Sequence, residues 1–296
     1  MHLPSEMLVG PICPVTAAVA FLGVLSVATV VSRTRASAPS ALRFAMVSAV
    51  VFGLQMLNYP VASGISGHLI AGVFAASILG VPAGVLSLTL VLTVQSLLFA
   101  DGGLAMLGAN VINMALLGAG AGGGIRQLLI RRHLNRELAT GLAAFFSVEL
   151  AVLALCFELM ASGKGTLSAL SWLVGVHTAL AVVEGVATVV LVKLCAFQSE
   201  RSSSRAGFAV LSGLLIACLL AAPFASVFPD AFEWTMGQFN LLPNAPSFVH
   251  APLADYTLAG LPNQLASSFL ASVIGVGVVM LSAWIMGKAL GRRVKA

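Results

Sequence analysis

The chain has 296 residues, of which 59% are hydrophobic and only 8% are charged. Roughly a quarter of the residues in soluble globular proteins are charged, so this composition excludes that class and predicts a polytopic membrane protein. The formal net charge of +5 does not indicate nucleic-acid binding, because the basic residues lie at the ends of the apolar stretches, in the segments between them and in the C-terminal tail.

Nine apolar stretches predict an all-α fold of about nine transmembrane helices in the cell membrane, because hydrocarbon does not tolerate unpaired backbone groups. They cover residues 9–31, 42–57, 68–80, 81–100, 104–130, 138–160, 167–197, 207–227 and 263–290. The third stretch is short for a crossing and is either a full span or a re-entrant segment. With the N-terminus outside, every Lys and Arg except Lys164 falls on the cytoplasmic side, which predicts an outside N-terminus and a cytoplasmic C-terminus.

The first two residues, Met1 and His2, are a ready metal chelate. The α-amine and the His2 amide nitrogen close a five-membered ring on an ion, and the same amide with His2 Nδ1 closes a six-membered ring. One further histidine completes a square of nitrogens, which suits Ni(II) or Cu(II). His68, in a Gly-rich loop on the same predicted side of the membrane, is the candidate. The alternative is that His2 follows Met1 by chance and that His68 is a surface or capping residue.

Three polar residues at membrane depth are candidates for a second shell around this site. His177 and Glu184 are seven residues apart in the seventh stretch and so share one helix face, and Asn110 lies in the fifth. Ionisable groups at this depth are costly and suggest function. They either orient the metal ligands or form a structural pair that fixes helix packing.

The linker at 198–206 is the one clear domain boundary in the sequence. It predicts a unit of about seven helices over 1–200 and an appended unit over 201–296, in which two helices flank an outer loop at 228–262. The role of that loop does not follow from the sequence.

Several motifs resemble one known family. They are Met1-His2 with Pro4, the sequence Ser-Gly-His-Leu-Ile-Ala-Gly at 66–72, Asp-Gly-Gly-Leu at 101–104 followed by Leu-Gly-Ala-Asn-Val at 107–111, and His177 with Glu184-Gly185. On these residues, 1–200 resembles the substrate-binding membrane components of energy-coupling-factor transporters for nickel and cobalt, the NikM and CbiM proteins. In the tail, Pro-Asp-Ala-Phe-Glu at 229–233 is similar to the Pro-Asp-Gly-Leu-Glu signature of the small NikN or CbiN component, which implies a fused protein. Ser5-Glu6 and Ala231 depart from the family pattern, but neither departure removes a ligand.

The resemblance implies that Met1, His2 and His68 hold the transported Ni²⁺ or Co²⁺. It further implies a transmembrane coupling subunit of the NikQ or CbiQ type and cytoplasmic ATPase subunits of the NikO or CbiO type as partners. The chain has no Gly-x-x-x-x-Gly-Lys-Ser/Thr phosphate loop, so we expect a non-enzymatic component without a cofactor, whose energy comes from those ATPases. The Ser-Gly-His sequence resembles that of the nickel members of the family, and four planar nitrogens also favour nickel over cobalt.

The alternative function is a proton-coupled secondary metal transporter in which His177 and Glu184 relay protons. An intramembrane enzyme is a weaker interpretation, because no HExxH or serine–lysine constellation appears in any apolar stretch.

Overall fold

The computed structural model describes residues 2–33, 39–201, 204–243 and 251–291, and it describes their side chains except at 196–201, 204–206 and 291. Met1, a predicted ligand, lies outside the described residues. The described chain is a helical bundle with one small β-hairpin. Its helices are α1 (Ile12–Arg33), α2 (Ala41–Met56), α3 (Gly72–Leu79), α4 (Val81–Phe99), α5 (Leu104–Arg131), α6 (Arg136–Ala161), α7 (Leu167–Arg201), α8 (Ser204–Ala221), α9 (Ala231–Gln238) and α10 (Gln264–Gly291).

Seven of these helices are long enough and apolar enough to cross a bilayer: α1, α4, α5, α6, α7, α8 and α10. The chain is therefore a multi-pass membrane protein. The predicted number of nine spans is not confirmed in the described residues. Helix α2 is apolar but has 16 residues, and the third predicted span, 68–80, contains only the eight-residue α3. Eight helical residues measure about 12 Å, far less than a hydrocarbon core of about 30 Å.

The loop before α3 forms a hairpin that the apolar pattern of the sequence does not predict. Strand β1 (Tyr59–Ala62) pairs antiparallel with β2 (Ile65–Gly67), with Tyr59 opposite Gly67. The turn between them uses Gly64, whose φ is +78°. The hairpin ends immediately before His68, so its register fixes where that residue enters the bundle.

The inner helices are covered by the outer ones, as burial along the chain demonstrates. The 18-residue apolar window of α4 is 61% buried and that of α5 is 56% buried, whereas that of α1 is only 17% buried. Most apolar side chains of α1 point away from the bundle, which is the arrangement expected of an outer helix that contacts lipid.

The C-terminal region packs against the first part of the chain at several places. Helix α10 lies beside α2: a Cβ at Gly275 would lie 2.5 Å from the Phe52 ring, and one at Gly287 would lie 2.8 Å from Ala41 Cα. Close helix approach through small residues is typical of packing in lipid. The region predicted as an appended unit is thus continuous in space with the rest of the bundle.

Candidate metal centre

His2 and His68, which are far apart in the sequence, lie against each other in the structure. Their ring centroids are 5.0 Å apart, with 23° between the ring planes. Two imidazoles bound to one ion, each through a metal–nitrogen bond of about 2 Å, have centroids roughly 4 to 6 Å apart, depending on the angle at the metal. The observed spacing therefore suits two ligands of a single ion.

The segment that carries His2 is tied to α5 through Asn110. The Leu3 amide donates to Asn110 Oδ1 at 2.9 Å, and Asn110 Nδ2 donates to the Leu3 carbonyl at 3.4 Å. The Gly103 amide also donates to the Leu3 carbonyl, at 2.8 Å. Because Leu3 and Met7 are fully buried, this segment is anchored by apolar side chains as well as by hydrogen bonds. Asn110 thus acts on the site by holding the backbone next to His2.

His68 is positioned through the residues that follow it. Glu184 accepts hydrogen bonds from the amides of Ile70 at 2.8 Å and Ala71 at 2.9 Å, one on each carboxylate oxygen. Ala71 has a left-handed backbone with φ +58°, a conformation that costs free energy for a residue with a Cβ. The carboxylate therefore stabilises a strained turn three residues after His68.

The ring of His68 is also oriented by its own backbone. His68 Nδ1 lies 3.2 Å from the Leu69 carbonyl oxygen, so Nδ1 carries the proton and Nε2 carries the lone pair. Histidines that bind metals commonly donate their second ring nitrogen to a carbonyl or carboxylate in this way. Burial lowers the pKa of His68 to about 3 and that of His2 to about 3, so both rings are neutral, as metal binding requires.

Asp101 contacts His2 and was not among the predicted site residues. Its Oδ1 lies 3.1 Å from His2 Nδ1, and its Oδ2 accepts a hydrogen bond from the Tyr256 hydroxyl at 2.5 Å. Burial raises the pKa of Asp101. The predicted chelate uses His2 Nδ1, so the contact between that nitrogen and Asp101 must break before the nitrogen can bind an ion. His2 Nε2 is buried without a well-formed hydrogen bond to the described residues.

His177 and Glu184 lie together beside His68, as the shared helix face predicts. Both line a pocket of about 10 Å³ whose wall also includes His68 and Asp230, which is room for about one water molecule. His177 Nδ1 bonds to the Leu173 carbonyl at 2.8 Å, and its buried Nε2 makes no hydrogen bond within the described part of the chain. No group of three or more His, Cys, Asp or Glu that could hold a metal is found among the described residues.

Two segments of the C-terminal region border the two histidines. The Ser66 amide donates to the Pro229 carbonyl at 2.9 Å, and the Ser66 hydroxyl donates to the Phe228 carbonyl at 2.7 Å. At the second place, the Leu253 amide donates to the Leu98 carbonyl at 2.9 Å. Sequence reasoning missed these contacts, although the two motifs that carry them, Pro-Asp at 229–230 and Pro-Leu-Ala-Asp-Tyr at 252–256, were visible in the outer loop.

The C-terminal segments and the two histidines enclose a cavity of about 630 Å³. His2 and His68 form part of its wall, together with Asp101 and Gln55 from the first part of the chain. The C-terminal region contributes Asp230, Glu233, Asp255 and Tyr256. A site with two neutral imidazoles in a cavity walled by carboxylates is suited to a divalent transition-metal ion.

Comparison with known proteins agrees with this geometry. Residues 2–202 match the family model described as the cobalt uptake substrate-specific transmembrane region, CbiM. The chain belongs to the CbiM family. Residues 206–292 match a second model, the PDGLE domain, which covers the segments that border the histidines.

Several relatives of this CbiM-family chain are fused proteins. It is 32% identical to the putative fused nickel transport protein NikMN of Archaeoglobus fulgidus over 80% of this chain and 82% of that protein. It is 29% identical to the probable fused nickel transport protein LarMN of Lactiplantibacillus plantarum, of which it covers 48%. Against the cobalt transport protein CbiM of Lachnoclostridium phytofermentans, identity is 34% over 50% of this chain and 62% of that one. The relatives are named as transport proteins, not as enzymes.

Solved structures support the same assignment. A crystal structure of a transition metal transporter is 28% identical and has a TM-score of 0.58, covering 71% of this CbiM-family chain and 98% of that chain. A truncated transition metal transporter is 29% identical with a TM-score of 0.56, covering 66% and 97%.

Proposed function

We propose that this chain is the substrate-specific membrane component of an ATP-driven energy-coupling-factor importer that captures Ni²⁺ or Co²⁺ at the outer face. The observation that carries the proposal is the pair of neighbouring, neutral imidazoles of His2 and His68 in the wall of a carboxylate-lined cavity. Family membership and the nickel and cobalt transport relatives support the same cargo.

In this proposal, the ion is held by the Met1 amine, the amide and Nδ1 of His2, and one imidazole nitrogen of His68. Four nitrogens in a plane favour Ni²⁺. Binding releases protons from the amine and the amide. Asn110 and Glu184 hold the two ligand-bearing segments through backbone contacts, and His177 lies behind His68.

The proposal includes an outside N-terminus, a cytoplasmic C-terminus, a metal-binding unit over 1–200 and an N-type unit over 201–296. Coupling and ATPase subunits of the NikQ/CbiQ and NikO/CbiO types would drive release to the cytoplasm. The basic residues between the apolar stretches support this orientation.

The test is metal analysis of protein purified with an unformylated N-terminus. We expect about one nickel ion per chain after incubation with Ni²⁺, and loss of that ion when one alanine is inserted before Met1, because the amine is then displaced from the amide and imidazole of His2. An alanine added after Ala296 is the matched control. Full nickel binding by the N-terminally extended protein contradicts the chelate.

A second pair of variants tests the imidazoles. His2→Ala and His68→Ala should each abolish binding, whereas His133→Asn should leave it unchanged, because His133 is exposed and outside the cavity wall. Binding that survives both site substitutions contradicts the proposed ligands.

The proton-coupled alternative predicts a different energy source. Glu184 already accepts two backbone hydrogen bonds, which favours a positioning role over proton transfer. Uptake of nickel that continues without the ATPases but stops when the proton gradient is dissipated would favour the alternative.

A further inference from the structure

The large cavity differs in charge from the rest of the molecule. The chain as a whole carries a formal net charge of +5 with ten acidic residues. Four of those acids line the cavity: Asp101, Asp230, Glu233 and Asp255. No Lys or Arg is among its lining residues in the part of the chain that the structure describes. Such a concentration of one sign in a cleft raises the local concentration of ions of the opposite sign.

A buried amide in the same wall points independently to a ligand. Gln55 is 1% exposed, and its Nε2 donates to the Ile70 carbonyl at 2.8 Å. Its Oε1 is a buried acceptor that makes no hydrogen bond with any described residue. A buried polar atom without a partner is costly, and an ordered water or ion is one explanation of such an atom.

The size of the cavity indicates what those contents are. A hexahydrated ion occupies about 180 Å³ if each water takes about 30 Å³, which the volume of about 630 Å³ accommodates with further water. In the proposed function the ion binds directly to nitrogens of His2 and His68, whose ring centroids are 5.0 Å apart. The ion therefore has to lose water between the cavity and the imidazoles.

A hydrated cation presents only O–H donors to its surroundings, and the polar wall of this cavity is rich in acceptors. The structure offers the four carboxylates of Asp101, Asp230, Glu233 and Asp255. An anionic metal complex, such as a carboxylate chelate, would be repelled by the same wall. The chemistry of the wall thus distinguishes the aqua ion from a chelated ion.

We propose that this cavity is an antechamber that binds the hydrated divalent cation through its water ligands before the ion is transferred to the histidines, and that Glu233 and Asp255 of the C-terminal region supply much of the attraction. Both residues are exposed, so their carboxylates meet ions arriving from solvent. This inference rests on the proposed function, because it names the form in which that site receives its substrate.

The first test measures the rate of Ni²⁺ capture by the full chain with an intact N-terminus. We expect the double substitution Glu233→Gln with Asp255→Asn to slow capture about tenfold at low ionic strength and to leave nickel dissociation unchanged. The difference should vanish near 1 M salt, where the Debye length is about 3 Å. Asparagine retains the left-handed backbone found at Asp255, whose φ is +53°, because it tolerates that conformation.

The matched control is Glu6→Gln, which removes one negative charge from the N-terminal loop outside the cavity wall. We expect Glu6→Gln to leave the capture rate within twofold of the wild type. Equal slowing by Glu6→Gln, or an unchanged rate in the double variant, overturns the antechamber.

The second test separates the antechamber from the histidine site. Cobalt(III) hexaammine is an exchange-inert cation of the size of a hydrated ion, and it can bind only through its outer N–H groups. We expect it to bind the His2→Ala variant, to inhibit Ni²⁺ capture by the wild type, and to do neither after the double substitution. If the wild type binds no nickel but the hexaammine still binds, the proposed function fails and the antechamber stands. If the hexaammine does not bind, the antechamber is wrong whatever nickel does.

Discussion

The hydroxyl of Tyr256 donates to Asp101 at 2.5 Å across 155 residues of sequence, and the other oxygen of that carboxylate faces His2. The Tyr256 ring is also stacked on Phe99, with centroids 4.5 Å apart. The backbone is left-handed at both partners: at Ala100, which precedes Asp101, φ is +55°, and at Tyr256 itself φ is +55°. Such strain persists only where surrounding contacts enforce it. Here the strained backbone lets Tyr256 bind Asp101, which in turn contacts His2, a proposed metal ligand.

Removing that hydroxyl should lower stability. Tyr256→Phe keeps the ring stack but deletes the hydrogen bond to the partly buried Asp101 carboxylate and the one that the hydroxyl accepts from Gln95, so we expect the free energy of unfolding to fall by about 1 to 3 kcal/mol. Denaturant unfolding of the detergent-solubilised protein measures it. Tyr59→Phe is the matched control: the Tyr59 hydroxyl is buried without a hydrogen bond to described residues, so its loss should be neutral or stabilising. Equal losses in the two variants would argue against the Asp101 bond.

Gly102 is a position where a single methyl group should disturb the metal centre. Its φ is +81°, and a Cβ there would lie 2.7 Å from Asn110 Nδ2 and 3.5 Å from His2 Cβ. We expect Gly102→Ala to loosen the Leu3–Asn110 contact and to weaken nickel binding at least tenfold, as outer-shell changes do, measured by equilibrium titration.

The control for that substitution is Gly80→Ala. Gly80 has nearly the same φ, +85°, but no atom lies within 4 Å of the place that its Cβ would take. Both substitutions place an alanine at positive φ, which at Gly80, with ψ 152°, costs about 1 to 3 kcal/mol. Only the methyl group of Gly102→Ala contacts residues of the metal centre. Equal nickel affinity in the two variants would contradict the role given to Asn110.

Glu184 should be needed as a carboxylate. Its two oxygens accept from two amides, and a glutamine would turn an N–H₂ group toward one of those N–H donors. We expect Glu184→Gln to displace the turn after His68 and to reduce nickel affinity about ten- to 100-fold.

Glu158→Gln provides the comparison for Glu184→Gln. Glu158 is also buried and accepts a hydrogen bond from Asn113 Nδ2 at 2.9 Å, which a glutamine oxygen can still accept. We expect calorimetric titration to give wild-type nickel affinity for this variant. A Glu184→Gln protein with the same affinity would show that the turn does not depend on the carboxylate.

Acid should destabilise the metal-free protein through the two histidines. Burial lowers the pKa of each to about 3, whereas an unfolded histidine titrates near 6.5. Between these values only the unfolded chain takes up the protons, so the stability is fully present above pH 6.5 and is lost as the pH falls toward 3. We expect the free energy of unfolding to fall by up to roughly 5 kcal/mol per histidine over this range, and by less in a variant carrying His2→Gln and His68→Gln.

The same pKa values bear on metal binding. Because both imidazoles are already neutral at mildly acidic pH, weakening of nickel binding there should come from the amine and amide protons of the chelate. A nickel-binding curve whose midpoint follows the titration of a normal histidine, near pH 6.5, would contradict this assignment.

The sequence indicated the helices and the two histidines because both depend on local information. Apolar length predicts a span, and an α-amine followed by a histidine predicts a chelate. The short length of α3 was harder to predict, because the apolar composition of 68–80 is the same whether the segment is a full span or a short helix. The hairpin before it, which the apolar pattern does not predict, determines where the helix begins. The hydrogen bonds from Tyr256 to Asp101 and from the Ile70 amide to Glu184 join segments that are distant in the sequence. The spacing of those residues along the chain does not predict either bond.

The bonds around His2 and His68 join residues that are 107, 114, 155 and 162 positions apart. Contacts of such long range form late in folding, because the entropy of closing large loops must be offset first. Two of these four bonds reach into the last third of the chain, so a newly made chain completes the surroundings of the proposed ligands only after that third has been inserted and docked. If the proposed site binds nickel, the ion stabilises the finished molecule over every unfinished one, and nickel occupancy would then report that assembly is complete.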